Sequence, residues 1–488
     1  MRHSSLAFLM VVLVGCGGDA ASPLGATSGA SGATPTPPPT PAGPPVSGIA
    51  IPHQAATVGA AISFDATLTN TAFTNPKGGT LRYAATFSPS SNGLAVVNGR
   101  VTGTPLTTMV TTVTLTATDT AGASASQSFA VAAFAAGLPL PAFTTAFAYT
   151  DAALALPAHF TALPPLGPPG APPGPPSVAA TDNTAGNPVT DAGAKLGRVL
   201  FHDTRLSAND QQSCAGCHQQ QFGFSDTAQL SRGFLGGLTG RHSMGLSNAR
   251  YYQRGRFFWD ERATTLEDQV LQPIQNAVEM GMTLSDLRLK LAVTSYYPGL
   301  FTAAFGTSDV TDARIAMALA QFVRSMSSYQ SKYDRAFPAA GPPNFPAVLS
   351  ADEEAGRLLF SGPAGCARCH MTDAQVMDAP HNIGLDSITV DVGAGLGRFK
   401  APSLRNVALR GRYMHDGRFT SLTQVVNHYS AGIKNNIDLD PRLRPPGGGP
   451  PQRLNLTPLQ VQQLVAFLGT LTDSTMVNAA KFKSPFGP

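Results

Sequence analysis

Two copies of one short motif, Cys-x-x-Cys-His, constrain this chain more than any other feature of its sequence. The cysteines and histidines of the two motifs are Cys214, Cys217, His218, Cys366, Cys369 and His370. Two thiols three positions apart on a turn can each form a thioether to one edge of a porphyrin, and the adjacent histidine then lies under the iron as its proximal ligand. The motifs therefore predict two covalently bound haem c groups, with His218 and His370 as iron ligands.

Two other uses of paired cysteines, a zinc site and a thiol redox site, fit the spacing less well. A zinc ribbon usually separates its two cysteine pairs by about 15–20 residues, whereas most of a domain separates these pairs. Thioredoxin-like redox motifs expect a βαβ context, whereas the surroundings here have a helical pattern. A secreted disulfide scaffold would spread its cysteines along the chain.

The fifth cysteine, Cys16, closes a segment that is typical of an export signal. Arg2 and His3 precede an apolar run at residues 6–14, which is too short to span a bilayer. The run ends in Leu-Val-Gly-Cys, which resembles a bacterial lipobox and implies removal of residues 1–15 and lipid modification of Cys16. The alternative is an ordinary secretory signal with a chance cysteine. We expect an exported protein, lipid-anchored in the periplasm or at the cell surface, with Gly17 favouring the outer membrane.

The next part of the chain changes composition three times. Residues 16–45 are mostly Ala, Gly, Ser, Thr and Pro, which predicts a disordered tether. In residues 46–134, Val- and Thr-rich runs alternate with period two between turn signals, which is typical of a β-sandwich. Its stretches 98–105 and 117–122 resemble bacterial Ig-like and cadherin-like domains, and we interpret it as a spacer or adhesion module. Residues 135–180 are Pro-rich and predict a semi-rigid linker.

Beyond residue 180 the pattern becomes helical, and both motifs lie there. Apolar residues recur at helical spacing from 313 to 337 and again from 457 to 471, where Thr457 is a candidate N-cap.

The formal net charge is only +4, without a long run of Lys or Arg, which argues against a nucleic-acid partner.

Residues 193–483 closely resemble the bacterial dihaem cytochrome c peroxidase/MauG family. The matching stretches are LGRVLF at 196–201, FWDER at 258–262, LEDQ at 266–269, EMG at 279–281, HNIGL at 381–385, FKAPSLRNV at 399–407 and YMHDGRF at 413–419. The resemblance implies a multidomain fold in which the Ig-like β-sandwich is followed by a mostly α-helical pair of class I cytochrome c-like domains. The first, residues 181–345, would hold the peroxidatic haem, and the second, residues 346–485, the other haem.

The resemblance also assigns roles to four residues between the two motifs. Glu279 would be the distal acid over the first haem, because peroxide cleavage needs a group that takes a proton from one oxygen and returns it to the other. Gln269 and Pro273 would line the same pocket. Trp259, the only tryptophan, would relay electrons between the haems. The structural alternatives are a surface charge for Glu279, a solvated side chain for Gln269 and a core aromatic for Trp259.

Two departures from the family pattern concern the haem irons. At the position where the peroxidases carry a methionine ligand to the second iron, this chain has Tyr429, as in the MauG pattern; Met414 is a nearby competitor. Phenolate oxygen favours ferric and higher iron states, whereas thioether favours ferrous iron. The loop at residues 219–240 has no histidine, so we expect a first haem that is open when oxidised.

A third departure concerns calcium, which the family holds between its domains through an asparagine. The aligned residue here is His242, and calcium prefers oxygen donors, so calcium is uncertain.

The sequence thus predicts a peroxidase that reduces hydrogen peroxide with electrons from a small external donor or a protein. The first alternative is a MauG-like enzyme that oxidises a partner protein through high-valent haem. The second is a plain electron-transfer cytochrome. The third is a cell-surface binding protein, which leaves the haem half unexplained.

Overall fold

The structure is a computed structural model that describes residues 43–487 except residues 144, 163–176, 253 and 340. The predicted signal at residues 1–15, the lipidation residue Cys16 and nearly all of the tether lie outside the described residues. The predicted fold class is confirmed, since strands make up the N-terminal part and helices the remainder.

The N-terminal domain is a β-sandwich with an Ig-like arrangement. Its strands are β1 Val46–Ser47, β2 Gln54–Thr57, β3 Ile62–Asp65, β4 Phe73–Thr74, β5 Arg82–Ser88, β6 Leu94–Val97, β7 Arg100–Gly103, β8 Met109–Thr118 and β9 Ser124–Phe134. One sheet has the order β2-β9-β8-β5, with β2 parallel to β9, and the other has the order β3-β7-β6. In β8, Val113 and Leu115 point into the core, while Thr114 faces outward and bonds Ser128 across the strands. This alternation is the period-two pattern of the sequence.

The first helical domain consists of a packed group of helices around the first motif. Its helices are α1 Asp151–Leu154, α2 Ala158–Thr161, α3 Asp191–His202, α4 Cys214–Cys217, α5 Leu266–Gln275, α6 Leu284–Val293, α7 Tyr297–Phe305 and α8 Asp312–Arg324. Helices α3 and α8 cross at Gly197, where an added Cβ would lie 2.0 Å from the carbonyl oxygen of Ala318. Only glycine permits this close approach.

The second helical domain has a similar helix crossing near the second motif. Its elements are α9 Ala351–Ser361, β10 Met377–His381, β11 Phe399–Ala401, α10 Leu422–Asn427 and α11 Pro458–Gly469, and α12 Ser474–Asn478 follows. Helices α9 and α11 cross at Gly356, where an added Cβ would lie 1.9 Å from the carbonyl oxygen of Gln463. Thr457 caps α11 in a capping box with Gln460. In each helical domain, therefore, the helix before the motif crosses a later helix at a glycine.

The β-sandwich packs directly on the first helical domain. The apolar residues Val110 and Phe134 contact Leu289 and Val293 of α6. Beside them, Lys290 forms an ion pair with Asp210, and their side chains are 1% and 0% exposed. The interface thus lies next to the segment that leads into the first motif.

Three sequence boundaries differ from the structure. Helix α8 ends at Arg324 rather than continuing toward 337, because Ser325 and Ser327 turn their hydroxyls onto backbone carbonyls and compete with the helix. The predicted linker at 135–180 is packed in part, since Tyr149 and Phe160 are buried in the first helical core. The second domain's core ends before 485, because residues from Met476 onward join the first core instead.

Candidate functional site

The first motif forms a single helical turn that ends at its histidine. Helix α4 covers Cys214 to Cys217, and His218 follows in a non-helical conformation. The Nδ1 atom of His218 lies 3.0 Å from the carbonyl oxygen of Phe224. A carbonyl can only accept, so Nδ1 carries the proton and Nε2 keeps its lone pair for a metal. Burial lowers the pKa of His218, which also favours the neutral, metal-binding form.

The second motif opens onto an apolar cavity. Cys366, Cys369 and His370 all line a cavity of about 220 Å³. Burial lowers the pKa of His370 to about 4, against the opposing influence of the carbonyls of Gln375 and Pro402. Its Nδ1 atom is buried without a hydrogen bond among the described residues.

The two motifs fit covalently bound haem c. All four motif cysteines are free rather than paired in disulfides. Burial raises the pKa of Cys214 and Cys366 to about 12, so both are neutral thiols in an apolar setting. Each histidine is half-buried beside its cysteine pair, and the second motif already faces a cavity lined mainly by carbon. This combination suits an apolar macrocycle with a histidine-bound iron.

Glu279 lies beside the first motif. Burial raises the pKa of both Cys214 and Cys217, and the charge of Glu279 adds to the shift, so the carboxyl lies within electrostatic range of both thiols. The turn that carries it is fixed because Asn276 Oδ1 accepts the N–H of Glu279 at 3.2 Å. Burial raises the pKa of Glu279 itself, with the positive charge of Arg262 opposing. A carboxyl in this setting holds its proton more readily than one in water.

Gln269 and Pro273 both belong to α5, the helix that precedes Glu279. They are four positions apart and therefore share one face of the helix. Both side chains are half-buried. The structure thus places them on the element that leads into the Glu279 turn.

Trp259 lies between the two helical domains. Its indole Nε1 donates to the carbonyl oxygen of His242 at 2.8 Å, and its own carbonyl accepts the N–H of Lys400 from β11 at 2.8 Å. The side chain lines the cavity of the second motif. Two residues after His242, the carbonyl of Met244 lies close enough to His218 to oppose the lowering of its pKa by burial. Trp259 therefore connects the surroundings of both motif histidines.

Tyr429 lies in a π-helix, His428–Gly432, that continues α10. Such irregular turns often occur at functional sites. Its side chain lines the second cavity, and burial raises its pKa. Met414 lines the same cavity, so both oxygen and sulfur donors face the second motif.

His242 is buried, and both of its ring nitrogens have partners. Nε2 lies 3.2 Å from Ser225 Oγ, and Nδ1 lies 3.2 Å from the carbonyls of Ala228 and Gln229. Among the described residues, no group of three or more His, Cys, Asp or Glu side chains could hold a metal ion.

Sequence reasoning did not single out several charged residues that line the second cavity. These are His381, Lys400, Arg410, Arg412, Asp440 and Arg442. His381 lies 2.7 Å from Asp440 Oδ2, and Arg442 also bonds Asp440 at 2.8 Å. His381 opens the HNIGL stretch that matches the family, whereas the sequence gives no local sign for Arg410 or Arg442.

Two helical domains, each with a half-buried Cys-x-x-Cys-His motif, define a dihaem c-type cytochrome. The comparisons with known proteins agree. Residues 191–340 match the family model described as Di-haem cytochrome c peroxidase, residues 353–472 match Cytochrome c, and residues 44–133 match Putative Ig domain.

Individual proteins give the same result. The chain is 35% identical over 300 residues to the methylamine utilization protein MauG of Methylorubrum extorquens, covering 58% of this chain and 79% of that protein. It is 30% identical over 311 residues to the cytochrome c551 peroxidase of Nitrosomonas europaea, covering 60% and 83%. A solved MauG-like protein associated with microbial copper homeostasis superposes with a TM-score of 0.54 and 29% identity, covering 66% of this chain and 99% of that chain. The chain belongs to the bacterial dihaem cytochrome c peroxidase/MauG family of oxidoreductases.

Proposed function

We propose that this protein is a dihaem c-type peroxidase that reduces hydrogen peroxide with electrons from an external donor. When bound at the two motifs, haem supplies the iron that takes peroxide and exchanges electrons. The observation that carries the proposal is the position of Glu279 beside the first motif, because an electron carrier has no need of a proton-transfer group there.

Glu279 moves a proton in this proposal. Cleavage of the O–O bond requires a proton to leave one peroxide oxygen and reach the other, so that water departs. The raised pKa of Glu279 brings the carboxyl closer to the pH at which it both accepts and returns a proton. The fixed Asn276 turn limits the positions that the carboxyl can occupy.

Trp259 carries electrons between the two domains in this proposal. Its hydrogen bond to the His242 carbonyl fixes the indole in the wall of the second cavity. His370 and Tyr429 would hold the second haem, which would supply a second place for oxidising charge.

A second candidate function is oxidation of a partner protein, as in the MauG pattern. Tyr429 favours it, because a phenolate ligand stabilises iron in its higher oxidation states. A donor-driven peroxidase returns to rest rapidly when a small reductant is added after peroxide. A protein-oxidising enzyme would instead persist in its oxidised form without a partner and be discharged by one particular protein.

The test of the peroxidase proposal is the Glu279→Gln variant, in which the amide keeps the shape but cannot take up a proton. We expect peroxide turnover to fall by about 10²–10⁴-fold, with both haem spectra unchanged. Stopped-flow mixing of oxidised protein with hydrogen peroxide measures the rate, and Glu354→Gln on α9 is the matched control. Full turnover in Glu279→Gln would show that the carboxyl is not the proton-transfer group.

We also propose that the protein is exported and held at a membrane by a lipid anchor, and the support for this location comes from the sequence. The signal pattern and Cys16 support export and lipid anchoring, as does haem attachment through thioethers, which takes place outside the cytoplasm. Within the described residues, no helix is long and apolar enough to cross a membrane. Labelling with a radioactive fatty acid, compared between the native chain and Cys16→Ser, tests the anchor.

A further inference from the structure

Arg410 lies between the two motifs, at the contact between the helical domains. Its guanidinium packs on Gly245 of the first domain, where an added Cβ would lie 2.8 Å from Cζ, Nε and Nη2. On the side of the second domain, Nη2 donates to the carbonyl oxygens of Ser403 at 2.9 Å and Arg405 at 3.2 Å. The side chain therefore links a segment of each domain.

The two segments also lie next to the motif histidines. In the first domain, residues 242–245 supply the His242 carbonyl that holds Trp259 and the Met244 carbonyl beside His218. In the second domain, residues 402–405 begin with the Pro402 carbonyl beside His370. The backbone N–H of His242 donates to the carbonyl of His415 at 2.8 Å, which adds a second link between the domains.

Arg410 brings a positive charge into this interface without a carboxylate partner. Among the described residues it forms no ion pair, and its buried Nε has no hydrogen-bond partner. An arginine stays charged in proteins. Arg410 lines the cavity of the second motif together with His242 and His370, so its charge lies beside the surroundings of both motifs.

This interface does not suit calcium. The aligned side chain is His242, a nitrogen donor whose two ring nitrogens are already hydrogen-bonded. The guanidinium of Arg410 packs on Gly245, three positions after His242, and its charge would repel a divalent cation. Calcium requires six to eight oxygen ligands, usually including carboxylates.

We propose that the guanidinium of Arg410 supplies the positive charge at the interface between the two haem domains. This charge makes the pairing of the domains independent of calcium and raises the reduction potentials of the haems. Arg410 is a positioning residue, because it acts through residues 242–245 and 402–405. A fixed positive charge favours the less positive, reduced iron. The inference requires haem at both motifs but not the peroxide reaction, so it stands or fails separately from the role of Glu279.

The first experiment uses the native haem-loaded protein. After dialysis against EGTA, we expect less than one tenth of a calcium ion per chain by elemental analysis, with visible spectrum and unfolding temperature unchanged. Added calcium chloride should likewise leave both unchanged. A retained stoichiometric calcium ion, or a spectrum that changes with EGTA, would overturn the proposal even if no variant could be made.

The second experiment is potentiometric titration of Arg410→Met and Arg410→Lys. We expect Arg410→Met to lower the reduction potential of at least the second haem, and Arg410→Lys to recover most of that shift. Arg398→Met removes the same charge at an exposed position and should shift neither potential. Native potentials in Arg410→Met, or equal shifts in Met and Lys variants, would refute the role of the charge.

Discussion

Replacing Lys290 by Met should destabilise the contact between the β-sandwich and the first helical domain more than any surface change on the same helix. Lys290 and Asp210 are both fully buried and form an ion pair. Burial lowers the pKa of Lys290 and raises that of Asp210, and each partner's charge opposes the shift of the other. Without Lys290, the carboxylate keeps one hydrogen bond among the described residues, from the backbone N–H of Ala135 at 2.9 Å.

The magnitude follows from the loss of one partner of a buried pair. Such a loss costs about 3–5 kcal/mol, because an uncompensated charge remains buried. For a unit of 150–250 residues, about 2–4 °C of unfolding temperature corresponds to 1 kcal/mol, so we expect a decrease of roughly 6–20 °C. Lys290→Met with Asp210→Asn should recover most of it, since the amide oxygen can still accept from Ala135.

Thermal unfolding of the haem-loaded protein, followed by far-ultraviolet circular dichroism at neutral pH, measures the effect. The matched control is Arg288→Met on α6, whose partner Asp312 is 38% exposed while Arg288 is 39% exposed. Exposed pairs contribute about 0–1 kcal/mol. If Lys290→Met and Arg288→Met lowered the unfolding temperature equally, the reasoning about the buried pair would be wrong.

Two further predictions concern the proposed electron path. Trp259→Phe removes the indole N–H that bonds His242; we expect unchanged haem spectra but slower electron transfer between the haems by stopped-flow spectroscopy, and an unchanged rate would exclude the relay. Tyr429→Met exchanges an oxygen donor for a thioether; we expect a higher reduction potential of the second haem and an altered EPR signal. An identical EPR signal in that variant would instead point to Met414 as the ligand.

Local sequence patterns predicted the parts of this fold that depend on near neighbours in the chain. The Thr and Val alternation of β8 predicted a half-buried strand, and the Thr457 pattern predicted the start of α11, because side-chain period and capping act over a few residues. The motif spacing predicted two haem sites for the same reason. The end of α8 was missed, because the bonds of Ser325 and Ser327 to backbone carbonyls compete with helix propensity.

Such local patterns could not predict contacts between residues that are far apart in the chain. Lys290 lies among leucines on a short helix, and only the fold brings it to Asp210, 80 residues earlier. Tyr149 and Phe160 of the Pro-rich segment are buried in the first helical core. Their burial was not predicted, because the composition of the segment alone indicated a linker. The β-sandwich was therefore interpreted as a spacer, whereas it shares an apolar contact with α6.

Residues 242–245 connect the two haem domains. Within four positions, this segment supplies the carbonyl that holds Trp259, the carbonyl beside His218 and the glycine that receives Arg410. A shift of this segment would move the proposed relay and the first proximal histidine together, and it would also release the guanidinium from its place near His370. Peroxide reduction and partner oxidation both require oxidising charge to pass between the haems, so both proposed functions need this segment fixed. The choice between them therefore depends on Tyr429 and on the electron source rather than on the interface.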